Sequence, residues 1–329
     1  MERVKRLFGG SPDLDRLLPV FTNTGIRTRY SCVPLEWYDR SHSWAERNRI
    51  YLSSALDLLE DVTRQLLDRS DLDDPGKIDG VVVVSTTGIA TPSLDALLID
   101  RMGLRPTAWR LPIFGLGCAG GVIGLARAAS LAAASPGQMV LFLVVELFAL
   151  SFRRDDWSKS NIVATALFGD GAAGALLSTA DEGPAIVAAG EHTWPGTLDV
   201  MGWEVADDGF SALFSRDIPQ LVATQLHDVA AAFLARHGLA IADIDRFICH
   251  PGGAKVVAAL ERAFGLQQDT LVEAWDVLRD YGNMSAATVM FVLERMLAEA
   301  SVTGERWERA LMNALGPGFT AGFLVLDNR

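Results

Sequence analysis

The chain has 329 residues, half of them hydrophobic, and a formal net charge of −12. That length and apolar content allow one large domain or two medium ones and exclude a disordered chain, while the acidic balance excludes nucleic acid as the main partner. Its three cysteines show no CxxC spacing and no His/Cys cluster, which excludes a disulfide framework and a zinc site and fits a reducing cytoplasm.

In chain order, Met1–Arg6 is charged and leads into no apolar core, so no secretory leader is expected. Tyr51–Leu67 has the spacing of an amphipathic helix, and Asp71–Gly76 is a solvated loop. Gly80–Ser85 reads as a buried strand. Leu111–Phe114 is a poor strand, interrupted by Pro112. Ala119–Ala134 predicts a helix buried on most sides, and Gln138–Val145 a second buried strand. Ile218–His237, ended by Gly238, and Ala286–Ala300 predict two more helices. The pattern is α/β. Apolar runs such as Met139–Val145 are too short to span a bilayer, so no stable membrane association is expected.

Two internal echoes suggest related halves. Gly169-Asp170-Gly171 and Gly316-Pro317-Gly318 each read as a Gly-x-Gly hairpin feeding a small-residue strand. Gly117-Cys118 and Gly282-Asn283 each precede a helix. The order is the same in both cases, which divides the chain into residues 1–180 and 181–329.

Cys118 lies in Gly115-Leu116-Gly117-Cys118-Ala119-Gly120-Gly121. The glycines permit a tight turn that sets the Cys at a helix N-terminus, where the positive helix end favours a thiolate. A thiolate is a competent nucleophile toward a thioester. The bland alternative is a small buried hydrophobe in a turn. The same segment also fits a dinucleotide fingerprint, with Glu146 ending a later strand, so a nicotinamide-dependent dehydrogenase stays open. The weak preceding strand and the late position of the motif count against it. His250, in Cys249-His250-Pro251-Gly252-Gly253, stands where an apolar run meets a low-bulk turn that a pantetheine arm could pass. Asn283 is either a helix N-cap or an oxyanion donor beside a His.

Taken together, Gly117-Cys118-Ala119-Gly120-Gly121, Leu167-Phe168-Gly169-Asp170-Gly171, His250-Pro251-Gly252-Gly253, Tyr281-Gly282-Asn283-Met284-Ser285 and Gly316-Pro317-Gly318 resemble the chalcone synthase family, the type III polyketide synthases. The likeness covers nearly the whole chain. It implies a five-layered thiolase-like αβαβα fold with two pseudo-repeated halves. It further implies that Cys118 takes a starter acyl group from coenzyme A and that His250 holds that Cys as thiolate. His250 and Asn283 would stabilise the enolate formed when malonyl-CoA loses carbon dioxide. The substrates implied are an acyl-CoA starter and malonyl-CoA, used by a homodimer without carrier protein, metal or organic cofactor.

The same resemblance places Phe168 as an aromatic gate and Ala212 where plant enzymes carry a second gating Phe. Phe148, Ser151 and Ser285 fall on the cavity wall. Thr91, before Pro92, falls where the family reaches across its dimer interface, often ahead of a cis proline. Gly316, Pro317 and Gly318 match the turn beside the nucleophile. Coenzyme A contacts are expected from Gly252, Gly253, Lys255 and Arg27, whereas Arg29 is equally readable as structural. The stretch Thr86–Asp95 looks more like bacterial alkylpyrone and alkylresorcinol synthases, which with Ala212 suggests a fatty acyl starter. Most of the family's opening strand and helix is missing. A ketoacyl-carrier-protein synthase III-like enzyme and a non-catalytic thiolase-fold partner subunit are the other readings.

Overall fold

The computed structural model describes residues 18–70, 72, 74–180, 183–304 and 306–328. Met1–Arg6 and the loop positions Asp71 and Asp73 lie outside them.

The elements run α1 (Pro19–Asn23), α2 (Trp44–Arg69), β1 (Gly80–Val84), α3 (Leu94–Met102), β2 (Trp109–Ile113), α4 (Gly120–Ala134) and β3 (Val140–Leu147). There follow α5 (Lys159–Leu167), β4 (Asp170–Leu177), β5 (Ala185–Thr193), β6 (Met201–Ala206), β7 (Gly209–Phe214) and α6 (Ile218–Ala235). The chain continues with β8 (Arg246–Cys249), α7 (Ala254–Ala263), α8 (Val272–Tyr281), α9 (Thr288–Thr303), β9 (Arg309–Gly316) and β10 (Thr320–Asp327).

β1 and β3 are apolar throughout because both their faces are covered. Val82, Val84, Phe142 and Val144 point into the central core, while the alternating Val81, Val83, Leu141 and Leu143 point into the outer one. Sheet one has the order β2-β1-β3-β4 and sheet two the order β5-β10-β9-β8. In each half a parallel pair is followed by an antiparallel one. β1–β3 and β3–β4 do this in the first half, β8–β9 and β9–β10 in the second. That is the physical basis of the repeat.

Helices α4 and α9 fill the space between the sheets. Glycines let α4 sit close, since a Cβ on Gly124 would meet Val84 and Phe142, and one on Gly121 would meet the Ala286 carbonyl at 2.2 Å. Helix α2 covers the outer face of sheet one, and α6 and α7 cover sheet two. Five layers result. Among the described residues, 117–134 is the one helical stretch long and apolar enough to cross a membrane, and here it is the central core helix.

Two expectations need correction. The weak strand around Leu111 is a full edge strand, β2, and Pro112 is tolerated because β2 pairs only with β1. The Gly169 segment is no hairpin. β9 and β10 are joined by a tight turn, but β3 and β4 are separated by residues 148–169, which carry α5 and much of the site wall.

Candidate active site

Cys118 occupies a single 3-10 turn, Gly117–Ala119, that runs into α4 without any side-chain cap. Gly117 has φ +48, and a Cβ there would lie 2.6 Å from Pro317 Cδ. A Cβ on Gly316 would lie 2.3 Å from the Leu116 carbonyl oxygen and 2.8 Å from Ala119 N. The Gly316-Pro317-Gly318 turn is therefore pressed onto the nucleophile turn, and glycine is the residue that permits it.

Asn283 reaches the site from the pseudo-equivalent place, between α8 and a 3-10 turn, Ser285–Ala287, that leads into α9. Its Oδ1 accepts the Ser285 N–H (2.7 Å), which is the capping role. Its Nδ2 donates to the Gly252 carbonyl (3.2 Å). Capping thus fixes the amide orientation and leaves a second N–H for the site. The backbone beside it is bridged to Phe168. Gly169 N–H donates to the Asn283 carbonyl, and Asn283 N–H to the Leu167 carbonyl (3.0 Å each).

Burial dominates the electrostatics. The Cys118 thiol is pushed up to about 12, mainly because desolvation penalises the thiolate. The Ser285 hydroxyl pulls it back most, the field of Glu146 raises it, and the Asn283 amide lowers it. The Ser285 hydroxyl lacks a partner of full hydrogen-bond geometry, so its pull on the sulfur is that of a near neighbour. The helix end expected to stabilise a thiolate does not win against desolvation. His250 is buried, and its imidazole is driven down to about 3 by desolvation. Neither of its ring nitrogens has a hydrogen-bond partner among the described residues. Burial thus disfavours the charged form of each group taken by itself.

A cavity of about 30 Å³ opens on Cys118, walled by Phe148, Phe168, Trp203, Phe214 and Ser285 among others. Phe148 and Phe168 stack at 3.9 Å, and Phe214 lies 5.3 Å from Phe168. On the other side of that stack lies a larger pocket of about 360 Å³, which the same two rings line together with Ala212, Ser151, Phe152 and Leu35.

The remaining sequence-nominated positions fall as follows. Ser285 is fully buried at φ +50. Ala212 lines the larger pocket, and it is Phe214, two residues on, that meets Phe168. Thr91 is exposed at a loop tip before a cis Pro92, outside both cavities. Gly252 and Gly253 pass beside Asn283 and Leu167. Lys255 is exposed. Arg27 lines a separate surface cleft with Trp275, Asp276 and Arg279. Arg29 lines the larger pocket, and its guanidinium donates to the Thr165 and Phe168 carbonyls. Among the described residues no group of His, Cys, Asp and Glu is arranged to hold a metal.

Three contributors, Trp203, Phe214 and Thr86, were not found from sequence, and Glu146 was read there only as the acid ending a strand. Glu146 is buried at the end of β3, with Oε2 accepting the Thr86 N–H (3.0 Å) and Oε1 without a partner. Desolvation lifts its carboxyl to about 8. A lone acid closing a wholly apolar run was the available signal.

The family model for the N-terminal domain of chalcone and stilbene synthases matches residues 23–181, and the C-terminal model matches residues 185–328. The chain belongs to the chalcone and stilbene synthase family. It is 40% identical to a putative chalcone synthase of Bacillus subtilis (strain 168), over 96% of this chain and 89% of that one. It is 39% identical to a 1,3,6,8-tetrahydroxynaphthalene synthase of Streptomyces peucetius subsp. caesius, over 96% and 85%. The crystal structure of 1,3,6,8-tetrahydroxynaphthalene synthase from Streptomyces coelicolor A3(2), a bacterial type III polyketide synthase, superposes with a TM-score of 0.93 at 29% identity, covering 100% of this chain and 93% of that one. This chain is accordingly a type III polyketide synthase, an acyltransferase with the thiolase-like fold. The dehydrogenase reading of Gly115-x-Gly117-x-x-Gly120 is set aside, because Gly120 packs against Val84 and Ala286 and Gly117 against Pro317.

Proposed function

We propose that this type III polyketide synthase extends a fatty acyl starter with malonyl-CoA and releases an alkylpyrone or alkylresorcinol-type product. The observation that carries the starter assignment is the mainly apolar pocket of about 360 Å³ behind the Phe148–Phe168 stack. It falls within the usual range of small-molecule sites, roughly 300–1,000 Å³. The Cys118 cavity of about 30 Å³ has room for little more than a water-sized group. An acyl chain on the sulfur must therefore part the aromatic wall, and the apolar space beyond is where an aliphatic tail gains by leaving water.

The steps follow from the side chains. His250 takes the Cys118 proton, the sulfur attacks the starter thioester carbonyl, and the departing coenzyme A sulfur takes that proton back from His250, which returns to the neutral imidazole. Malonyl-CoA then loses carbon dioxide. The enolate oxygen left behind is held by the free Asn283 N–H and by His250. Its carbon attacks the Cys118 thioester, and the Cys118 sulfur leaves with the bonding electrons. Neutral donors suit this step, since an acid in their place would protonate the enolate. Lys255, Arg27, Gly252 and Gly253 are the proposed contacts to coenzyme A. We further assign a cytoplasmic homodimer with Thr91 at its interface, needing neither metal nor organic cofactor.

A second reading is favoured by the 39% identity to a tetrahydroxynaphthalene synthase. Hydroxyls on alternate ring carbons without an alkyl branch are what malonyl units alone would give. Incubation with malonyl-CoA, with and without a panel of acyl-CoA starters, followed by mass spectrometry, separates the two. Alkyl-bearing products from long-chain starters support the first. Efficient product formation from malonyl-CoA alone, unchanged by starters, replaces it with the second.

A further inference from the structure

Thr86 lies just past the end of β1 and is buried. Its polar groups tie three parts of the site together, and its hydroxyl also acts on the Glu146 carboxyl. Its N–H donates to Glu146 Oε2 (3.0 Å). Its hydroxyl oxygen accepts the Gly117 N–H (3.2 Å), the amide one residue before the nucleophile. Its carbonyl accepts the Trp203 indole N–H (2.9 Å), and Trp203 walls the Cys118 cavity. The neighbouring Thr87 hydroxyl accepts from Leu147 N–H (2.9 Å) and also acts on the Glu146 carboxyl, without reaching the nucleophile turn.

These bonds fall where the structure has least other constraint. Gly117 lacks a side chain to hold its peptide, so the rotation of that peptide is set by packing on Pro317 and by the Thr86 hydroxyl. The β6–β7 hairpin belongs to neither four-stranded sheet. A two-stranded ribbon is marginal alone, so its placement over the cavity depends on side-chain ties. The Trp203–Thr86 bond is such a tie, and it anchors the hairpin to the strand end that also holds the nucleophile turn.

We propose that Thr86 is a positioning residue for the condensation, holding the Cys118 turn and the Trp203 wall at a fixed separation. This rests on the condensing-enzyme reading above. The step it serves is attack on the Cys118 thioester, where a misplacement of about 1 Å costs on the order of 100-fold in rate.

The test is Thr86→Val, which deletes the acceptor for Gly117 together with the hydroxyl's hold on Glu146 and keeps both backbone bonds, with Thr86→Ser as the conservative partner and Glu146→Gln as the control for the Glu146 contact. Two quantities are measured. One is the rate of Cys118 alkylation by iodoacetamide between about pH 6 and pH 10. The other is kcat and KM for malonyl-CoA with the best starter. In a Thr86→Val protein with an unchanged thermal midpoint, alkylation slows and kcat falls roughly 10- to 100-fold while KM stays within about twofold. Thr86→Ser restores both. A Thr86→Val enzyme indistinguishable from wild type, or a Thr86→Ser enzyme as impaired as Thr86→Val, overturns the proposal. If Thr86→Val does not fold, Trp203→Phe decides, because it keeps a ring in the wall and loses the donor to Thr86. A shifted ratio of product chain lengths is then expected, and an unchanged ratio overturns it. Wild-type protein that makes no condensed product refutes the functional reading instead, and the alkylation comparison still decides Thr86.

Discussion

Asn283 and Phe168 are adjacent partners on one backbone bridge, although they come from opposite halves of the chain. The proposed oxyanion donor and the ring that separates the two cavities are thereby held in fixed relation. Asn283 serves two ends at once, capping Ser285 with its oxygen and presenting N–H groups with its nitrogen.

Replacing Asn283 with Ala separates these duties. Loss of one oxyanion donor should cut malonyl-CoA decarboxylation by about 100- to 1,000-fold. Loss of the cap should cost about 1 kcal/mol of stability. Acyl loading of Cys118 should survive, because it does not pass through the malonyl enolate. Carbon dioxide release and intact-mass detection of acyl-enzyme report the two steps separately. Decarboxylation at the wild-type rate would remove Asn283 from the proposed role.

Gly316 tests the pressed contact between the two turns. Its Cβ would fall 2.3 Å from the Leu116 carbonyl oxygen, which is backbone and unable to move aside cheaply. Gly316→Ala should lower stability by about 1–3 kcal/mol, the usual range for overpacking. It should also displace Cys118, so activity should fall further than stability explains. Gly304→Ala is the control, since nothing lies within 4 Å of its Cβ and only the φ of +71 is strained. Equal activity loss in the two variants, at matched stability, would argue against the contact being special.

The buried titratable groups predict how stability changes with pH. The Glu146 carboxyl rises on folding from 4.5 to about 8, so between those values the folded chain keeps a proton that the unfolded chain has lost. Stability is therefore full below about pH 4.5 and declines as pH climbs toward 8, by an amount on the order of 5 kcal/mol. His250 acts in the opposite direction. Its pKa falls from 6.5 to about 3, so its contribution is complete above 6.5 and is lost as pH drops toward 3. Urea midpoints between pH 4 and 9 should show Glu146→Gln flattening the alkaline limb and His250→Asn flattening the acid one. Unaltered slopes in both variants would contradict the burial energetics.

What was legible in the sequence tracks the backbone. Gly117-Cys118, His250-Pro251-Gly252-Gly253 and Gly282-Asn283 announce themselves because glycine and proline are required where turns are tight. The structure brings the Cys118 and Asn283 segments together, with Gly252 bonded to Asn283. The repeat was legible from the same signals, but the Gly169 half of it misled, because a Gly-x-Gly string does not distinguish a hairpin from the start of a strand reached through a helix. Trp203 and Phe214 were silent. They face the site because β6 pairs with β7 and the hairpin folds over a cavity built by distant segments. The burial that pushes the Cys118 thiol up was silent for a related reason, since burial depends on the whole fold and the helix end does not.

The Phe148–Phe168 stack gives the most direct test of the starter assignment. The two rings lie 3.9 Å apart and nearly parallel, and each touches both cavities. Phe148→Ala removes half of this partition without touching Cys118 or Asn283. Truncating a buried Phe costs about 3–5 kcal/mol in a closed core. Here the ring borders open space on both sides, so the loss should sit near the lower end. Joining the cavity of about 30 Å³ to the pocket of about 360 Å³ removes the displacement a long acyl chain must otherwise cause. The ratio of kcat/KM for long-chain over short-chain starters should therefore rise. Phe148→Leu, which keeps bulk but loses the stack, should fall between Ala and wild type. If Phe148→Ala instead lowers the ratio, the aliphatic tail lies against the ring and not beyond it, and the larger pocket is not the acyl site.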